Sequence, residues 1–165
     1  MPTNLPHTTQ NDLSNKIRAR VVELLNERLV DAIDLQSQVK QAHWNVKGPS
    51  FIALHELFDK IAGELGGHID DIAERAVQLG GTALGTVRIA AANSGLKEYP
   101  SNIFAGRDHI KALAAALSSF GELVRKAIDQ ADKAGDNNTA DLFTGVSRSI
   151  DKSLWFVEAH GQAER

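Results

Sequence analysis

The chain has 165 residues, 42% of them hydrophobic and 24% charged, which suits the core of one soluble domain and excludes a multidomain assembly. It contains no cysteine, so disulfides, thiolate nucleophiles and cysteine-based metal sites are excluded, and a metal ion would need His, Asp or Glu ligands. The formal net charge of -3 gives the whole chain no general attraction for nucleic acid, which leaves only a local basic patch.

No stretch of the sequence reaches the run of about 18 apolar residues that a membrane-spanning helix requires. The first thirty residues lack a basic region followed by an apolar one, the order typical of a secretory signal peptide. We therefore expect a cytoplasmic protein with no membrane partner.

The sequence begins with a polar segment and a first long helix. Residues 1–12 hold two prolines and several Thr and Asn residues with no apolar period, so we expect a flexible tail there. From the region 11–14 onward, apolar residues recur at steps of three and four as far as Lys47. Gly48-Pro49 then ends this predicted helix.

Three further long helices and one long connection follow. Ser50 is a favourable N-cap for a second helix, in which the helical apolar period continues to Gly80-Gly81. Residues 82–102 are glycine-bearing and too long for a tight hairpin. A short connecting helix and the third and fourth long helices are expected at about 87–92, 110–134 and 139–158.

Four long amphipathic helices, with no competing strand pattern, predict an all-α fold. The long connection between the second and third helices fits a four-helix bundle with one crossover, the ferritin-like arrangement. We place this bundle at 13–160 and a short C-terminal tail at 161–165.

Four candidate metal ligands lie on one edge of the second predicted helix: His55, Asp59, Asp70 and Glu74. The first two and the last two are each spaced i,i+4, so each pair can direct two side chains at one ion. His55 and Asp70 are about 22 Å apart along the helix, at about 1.5 Å per residue. The two pairs cannot share an ion within one chain, so each is expected to form half a site.

A two-fold axis would join the two halves. If the second helix packs antiparallel on its copy about a point near Glu64 and Leu65, each ligand pair meets the other pair of the copy. Gly63, Gly66 and Gly67 surround this point, although each glycine costs a helix about 1 kcal/mol relative to alanine. Close approach of two backbones would justify them, and the alternative is an interruption of the helix.

His43 lies on the apolar stripe of the first helix, and the Gly48-Pro49 turn can bring it back toward His55. Such nitrogen and oxygen ligands suit Fe(II), with Mn(II) and Zn(II) as competitors. No Glu-x-x-His occurs in the sequence, so a di-iron centre inside one bundle is not encoded and the metal belongs at an interface. The alternatives are a hydrogen-bonded core histidine for His43 and acid pairs without function, since such spacings are common.

Three segments together resemble the Dps family, the DNA-binding proteins from starved cells, which are ferritin-like miniferritins. They are QAHWNVKGPSFIALHELFD with HIDDIAERAVQLGG at 41–81, LGT at 84–86 and DKSLWFVEAH at 151–160. The resemblance covers about residues 20–160 and implies a hollow shell of twelve subunits with ferroxidase centres between them. The ligands it implies are His43, His55 and Asp59 of one subunit and Asp70 and Glu74 of its two-fold partner, with Trp44 beside the site.

The resemblance also implies a chemistry: oxidation of Fe(II), with hydrogen peroxide preferred to dioxygen, and storage of the ferric mineral inside the shell. Acids that line a pore would attract Fe(II) inward. Asp136 and Asp141 match the three-fold pore region of the family, and the alternative is that they are a turn residue and a helix N-terminal acid.

DNA binding is a second functional hypothesis, in which a nucleoid-associated structural protein protects DNA and binds metal secondarily. No Lys or Arg precedes Lys16, so the tail cannot act as a polycation. Lys16, Arg18 and Arg20 form a small basic group that a shell would repeat many times, and the alternative is a solvated helix end. A third hypothesis is a cage that binds Zn(II) or Mn(II) without oxidase activity.

Overall fold

The computed structural model describes residues 5–162, which form four long helices and one short helix. The helices are α1 (Asn15–Asn45), α2 (Phe51–Gln78), α3 (Val87–Asn93), α4 (Gly106–Ala134) and α5 (Asn137–Ala159). The only β-type pairing within this part of the chain is an isolated parallel bridge between Lys47 and Ala105. The predicted all-α bundle with a short helix in its long crossover is therefore confirmed.

Local sequence signals set the helix ends. The hydroxyl of Ser14 caps α1 by accepting a hydrogen bond from the Ile17 N–H at 3.3 Å. Gly48, at φ +116°, turns the chain between α1 and α2, and Gly135, at φ +93°, ends α4 in the left-handed conformation. The third long helix begins at Gly106 rather than near residue 110, because its first turn is polar and gives no apolar period.

The four long helices enclose one apolar core. α1 packs mainly against α2 and α4, and α5 packs mainly against α4. Burial of each large side chain in such a core contributes about 1.5–3 kcal/mol. Fully buried members include Leu25, Phe58, Phe120 and Phe143. Over residues 5–162, no helix combines the length and the apolarity needed to cross a bilayer.

The crossover is hydrogen-bonded to α1 along its length. Asp31 accepts from the Gly95 N–H at 2.7 Å, and Asp34 accepts from the Ser94 hydroxyl at 2.5 Å. Gln38 donates to the carbonyl of residue 97 at 3.0 Å. These bonds hold the segment between α2 and α4 against the outer side of α1.

The N-terminal segment differs from the flexible tail expected at 1–12. Residues 1–4 lie outside the described residues, but Leu5 and Leu13 pack against the core. The His7 N–H donates to the Gly80 carbonyl at 3.3 Å, and a Cβ at Gly80 would lie 2.6 Å from the His7 oxygen. Pro6, within the described part of this segment, disfavours a helix, yet the segment contacts the end of α2. The predicted C-terminal tail lies outside the described residues from 163 onward.

Candidate metal centre

His43 at the end of α1 and His55 in the second turn of α2 face each other across the α1–α2 turn. Their rings stack with centroids 3.7 Å apart and an interplanar angle of 22°. The Nδ1 of His43 lies 2.7 Å from the His55 carbonyl, and the Nδ1 of His55 lies 2.8 Å from the His43 carbonyl. A carbonyl only accepts, so both Nδ1 atoms carry a proton, and the neutral form of either ring has its lone pair on Nε2. A backbone carbonyl commonly orients a metal-binding histidine in this way.

Asp59 lies one turn after His55 and is exposed. Its Oδ1 accepts a hydrogen bond from Lys40 Nζ at 2.8 Å and lies 3.9 Å from His43 Nε2. The hydrogen bond and the charge of Lys40 lower the pKa of Asp59 below its ordinary value of 3.8, so its carboxylate is ionised at neutral pH. The structure thus sets the carboxylate of Asp59 beside the stacked imidazoles of His43 and His55, although these three side chains are not arranged to hold an ion by themselves.

Lys40 is a residue that the sequence analysis missed. Its ammonium group holds the carboxylate of Asp59 and also lies 5.6 Å from the ring centroid of Trp44. Trp44, predicted to lie beside the site, is 65% exposed. The available signal was that Lys40 precedes His43 by three residues and so shares its side of α1.

Asp70 and Glu74 are exposed on α2 and remain apart from the first three ligands. Because α2 is continuous from Phe51 to Gln78, the rise of about 1.5 Å per residue leaves Asp70 about 22 Å from His55. Within residues 5–162, no group of three or more His, Asp or Glu side chains is arranged to hold a metal ion alone. A single chain therefore presents the predicted ligands as two separated groups, one beside the α1–α2 turn and the other further along α2.

The edge of α2 between the two ligand pairs is open. The helix is not interrupted at its glycines, and a Cβ at Gly63 or Gly67 would meet no atom of residues 5–162 within 4 Å. The glycine at position 66 is explained by packing within the chain, since an added Cβ would lie 3.2 Å from the side-chain amide nitrogen of Gln36. The interpretation of the glycines as a helix break is therefore wrong.

Exposed apolar side chains flank the same edge. Ile52 is 59% exposed and Val77 is 53% exposed, and the two are equally distant in sequence from the midpoint between Glu64 and Leu65. The two ligand pairs are arranged about the same midpoint. An antiparallel copy of α2 would bring each exposed apolar residue against the other.

The two predicted pore residues have different surroundings. Asp136 is buried and caps α5, accepting hydrogen bonds from the Thr139 N–H at 3.1 Å and from its hydroxyl at 2.6 Å. Arg75 holds both carboxylate oxygens at 2.9 and 3.0 Å. These contacts favour the alternative role of a turn residue over a pore lining. Asp141 is exposed on α5 and stays a pore prediction.

The basic group at the start of α1 is smaller than the sequence indicates. Arg18 is buried, and its guanidinium donates to the Leu13 carbonyl at 3.1 Å and to the Leu79 carbonyl at 3.0 Å. It is therefore unavailable to DNA, and its prediction as a contact is wrong. Lys16 and Arg20 are exposed, and Arg20 lies 3.4 Å from a carboxylate oxygen of Glu23.

Comparison with known proteins identifies the family. Residues 22–165 match the ferritin-like domain family. The DNA protection during starvation protein of Agrobacterium fabrum is 51% identical, covering 94% of this chain and 96% of that protein. The structure of DpsA14 from Streptomyces coelicolor superposes with a TM-score of 0.90 and 34% identity, covering 96% of this chain and 94% of that chain. The structure of DpsC from the same organism superposes with a TM-score of 0.91 and 29% identity, covering 98% of this chain and 95% of that chain. The chain therefore belongs to the Dps family of ferritin-like proteins.

Proposed function

We propose that this protein is an iron-oxidising and iron-storing cage whose oxidation centres lie between two-fold related subunits. The observation that carries the proposal is the stacked pair His43 and His55, with both Nε2 lone pairs available beside the carboxylate of Asp59. Imidazole nitrogen and carboxylate oxygen together suit Fe(II), and Zn(II) and Mn(II) would compete for the same ligands. Membership of a ferritin-like family supports iron as the cargo.

The proposed partner contact is an antiparallel pairing of two α2 helices about the midpoint between Glu64 and Leu65. This pairing sets Asp59 opposite Asp70 of the partner subunit and His55 opposite Glu74 of the partner subunit. The open space beside Gly63 would admit the second backbone. Each half-site of this chain is then completed by the carboxylates of the other.

Fe(II) is the substrate, and hydrogen peroxide is the proposed preferred oxidant rather than dioxygen. Two Fe(II) ions held at one centre supply the two electrons that one peroxide needs. With two protons, they give two Fe(III) and two waters and release no hydroxyl radical. The carboxylates favour the harder Fe(III) product. Before iron binds, the ammonium group of Lys40 keeps the carboxylate of Asp59 ionised. Asp59 would then exchange its hydrogen bond with Lys40 for a bond to iron.

The shell of twelve subunits and the ferric mineral inside it belong to the same proposal. Similarity to Dps proteins along nearly the whole chain supports this assembly. Asp141 is the remaining candidate for an acidic pore through which Fe(II) would enter. A cytoplasmic location is part of the proposal as well.

Anaerobic loading with Fe(II), followed by peroxide and measurement of ferric absorbance, tests the oxidation centre. We expect Asp70→Asn to lose the fast phase, because it removes a negative ligand from the neighbour's half-site. Asp132→Asn is the matched control, since Asp132 is exposed on α4 and should keep the fast phase. Light scattering must show that both variants assemble as the wild type does. A fast phase retained in Asp70→Asn would overturn the interfacial centre.

A DNA-protecting role is the second candidate, supported by the name of the Agrobacterium fabrum relative. The contacts left to it by the structure are Lys16 and Arg20, which are exposed and would be repeated around a shell. A gel-shift series in salt tests this role, because contacts to phosphates weaken as salt rises. If duplex DNA is not retarded even at low ionic strength, direct binding is excluded.

A further inference from the structure

The end of the bundle where α1 leads into α2 holds a cavity of about 580 Å³. It lies between the α1–α2 turn, the start of α4 and the end of α5. None of the five proposed iron ligands lines it. This cavity is therefore a feature that iron oxidation leaves unexplained.

Backbone hydrogen bonds between the α1–α2 turn and the start of α4 shape the cavity. The Lys47 N–H donates to the Phe104 carbonyl at 2.8 Å, and the Gly106 N–H donates to the Lys47 carbonyl at 3.2 Å. Gly106 allows this close approach, since a Cβ there would lie 2.7 Å from Leu54 Cδ1. The first turns of α2 and α4 consequently border the same space, through Ser50 and Gly106.

The ionisable side chains among the described residues that line the cavity are all basic. Lys47, Arg107 and His160 line it, and no Asp or Glu does so among the described residues. Within residues 5–162, none of these three side chains takes part in an ion pair. A protein of net charge -3 thus concentrates uncompensated positive charge at one concave place.

The helix termini add to this charge. The N-terminus of a long helix carries partial positive charge, because its peptide dipoles are aligned. α2 and α4 have no side-chain hydrogen bond at their N-caps, Ser50 and Ala105. The caps of α1, α3 and α5 do supply one, through Ser14, Thr86 and Asp136.

We propose that this cavity binds a tetrahedral oxyanion of the phosphate class, with Lys47 and Arg107 as its charged contacts. The guanidinium of Arg107 can donate two parallel hydrogen bonds to such an anion, and Lys47 supplies a compact point charge. His160 donates from Nδ1 to the Phe156 carbonyl at 2.8 Å, so its ring can donate to the anion only when Nε2 is also protonated. The phosphate can come from free inorganic phosphate or from the phosphodiester backbone of DNA.

Calorimetric titration of the assembled protein with inorganic phosphate, at constant ionic strength, tests the site. We expect saturable binding near one phosphate per chain in the wild type. The double variant Lys47→Gln/Arg107→Gln should bind at least tenfold more weakly, because it removes both charged contacts. Lys133→Gln/Arg148→Gln makes the same change of charge at exposed positions elsewhere and should bind as the wild type does. Light scattering and circular dichroism confirm that all three proteins assemble and fold alike.

A second arm separates the two sources of phosphate by the anisotropy of a labelled short DNA duplex with the same three proteins. If inorganic phosphate binds and DNA does not, the cavity takes the free anion. If DNA binds and only the Lys47/Arg107 variant loses it, the cavity takes the phosphodiester backbone. The proposal is overturned if the wild type binds neither probe, or if the three proteins bind equally. The fast phase of iron oxidation should survive in every variant, so failure here is distinct from failure of the oxidation centre.

Discussion

Two ion pairs of an aspartate with a basic side chain have almost the same shortest distance and opposite surroundings. Lys40 Nζ lies 2.8 Å from Asp59, and Arg75 lies 2.9 Å from Asp136. The Asp59 side chain is 59% exposed and that of Asp136 is 2% exposed. The distance alone therefore does not say which pair is structural. Exposure does, because water can replace Lys40 at Asp59, whereas no solvent reaches the carboxylate of Asp136.

Removal of the buried carboxylate should have the largest effect. We expect Asp136→Ala to lower the free energy of unfolding by about 3–5 kcal/mol, because it leaves the guanidinium of Arg75 without its partner and α5 without its cap. Denaturant unfolding at one fixed protein concentration measures this. Asp132→Ala, at an exposed position nearby, and Asp59→Asn, in the exposed pair, should unfold close to the wild type. Equal stability of Asp136→Ala and these controls would contradict the structural role.

The pH dependence of stability should also separate the two pairs. Burial raises the pKa of Asp136, but hydrogen bonds from Thr139 and the charge and hydrogen bonds of Arg75 outweigh it, so the net pKa lies below the ordinary value of 3.8. A carboxylate whose pKa is lower in the folded state stabilises the fold at any pH above its unfolded-state pKa. It loses that contribution as the pH falls through its folded-state pKa. The stability gap between wild type and Asp136→Asn should therefore be constant near neutrality and shrink below about pH 4. Unfolding curves from pH 7 to pH 3 test this, and a gap that does not change with pH would refute it.

Gly63 on α2 and Gly81 just after its end compare an open surface with a closed one. The Cβ of Gly63→Ala would meet no atom of residues 5–162 within 4 Å, so this change should favour the helix by about 1 kcal/mol, yet it should weaken assembly if two α2 helices meet there. Gly81→Ala would bring its Cβ into steric conflict with both methyl carbons of Val22, so it should destabilise the fold itself. Light scattering on dilution, together with thermal unfolding, distinguishes the two effects. If Gly63→Ala dissociates no more readily than the wild type, the proposed pairing point is wrong.

The same contrast explains which features the sequence could predict. The helices follow from apolar periods of three and four, and the ligand pairs from i,i+4 spacing, because both depend only on local helix geometry. The burial of Arg18 and the choice between a pore and a turn role for Asp136 could not be predicted, because their partners come from far along the chain, Arg75 being 61 residues from Asp136. Sequence analysis predicts that a charged residue in a polar stretch is exposed, unless its distant partner in the fold is known.

Near the proposed iron ligands, the sequence indicates which residues are ligands but not how these residues contact one another. The spacing on α2 indicates His55 and Asp59. The hydrogen bonds by which His43 and His55 each donate to the other's backbone carbonyl depend on how Gly48 turns the chain.

The start of α4 was placed too late for a related reason. His109 is buried against the Tyr99 hydroxyl at 2.8 Å, and a buried polar pair leaves no apolar signal.

Lys40→Met is the substitution with the smallest expected effect and tests whether the exposed pair is a replaceable one. Fe(II) must displace the ammonium group from Asp59, so loss of Lys40 removes both the competitor and a nearby positive charge. We expect Fe(II) to bind about two- to fivefold more tightly in anaerobic calorimetry, the scale of an exposed ion pair. Lys60→Met is the control, because its ammonium group lies 3.9 Å from Glu64 and, within residues 5–162, forms no ion pair with a proposed ligand. Weaker binding in Lys40→Met would mean that the ammonium group positions Asp59 for iron instead of competing with it.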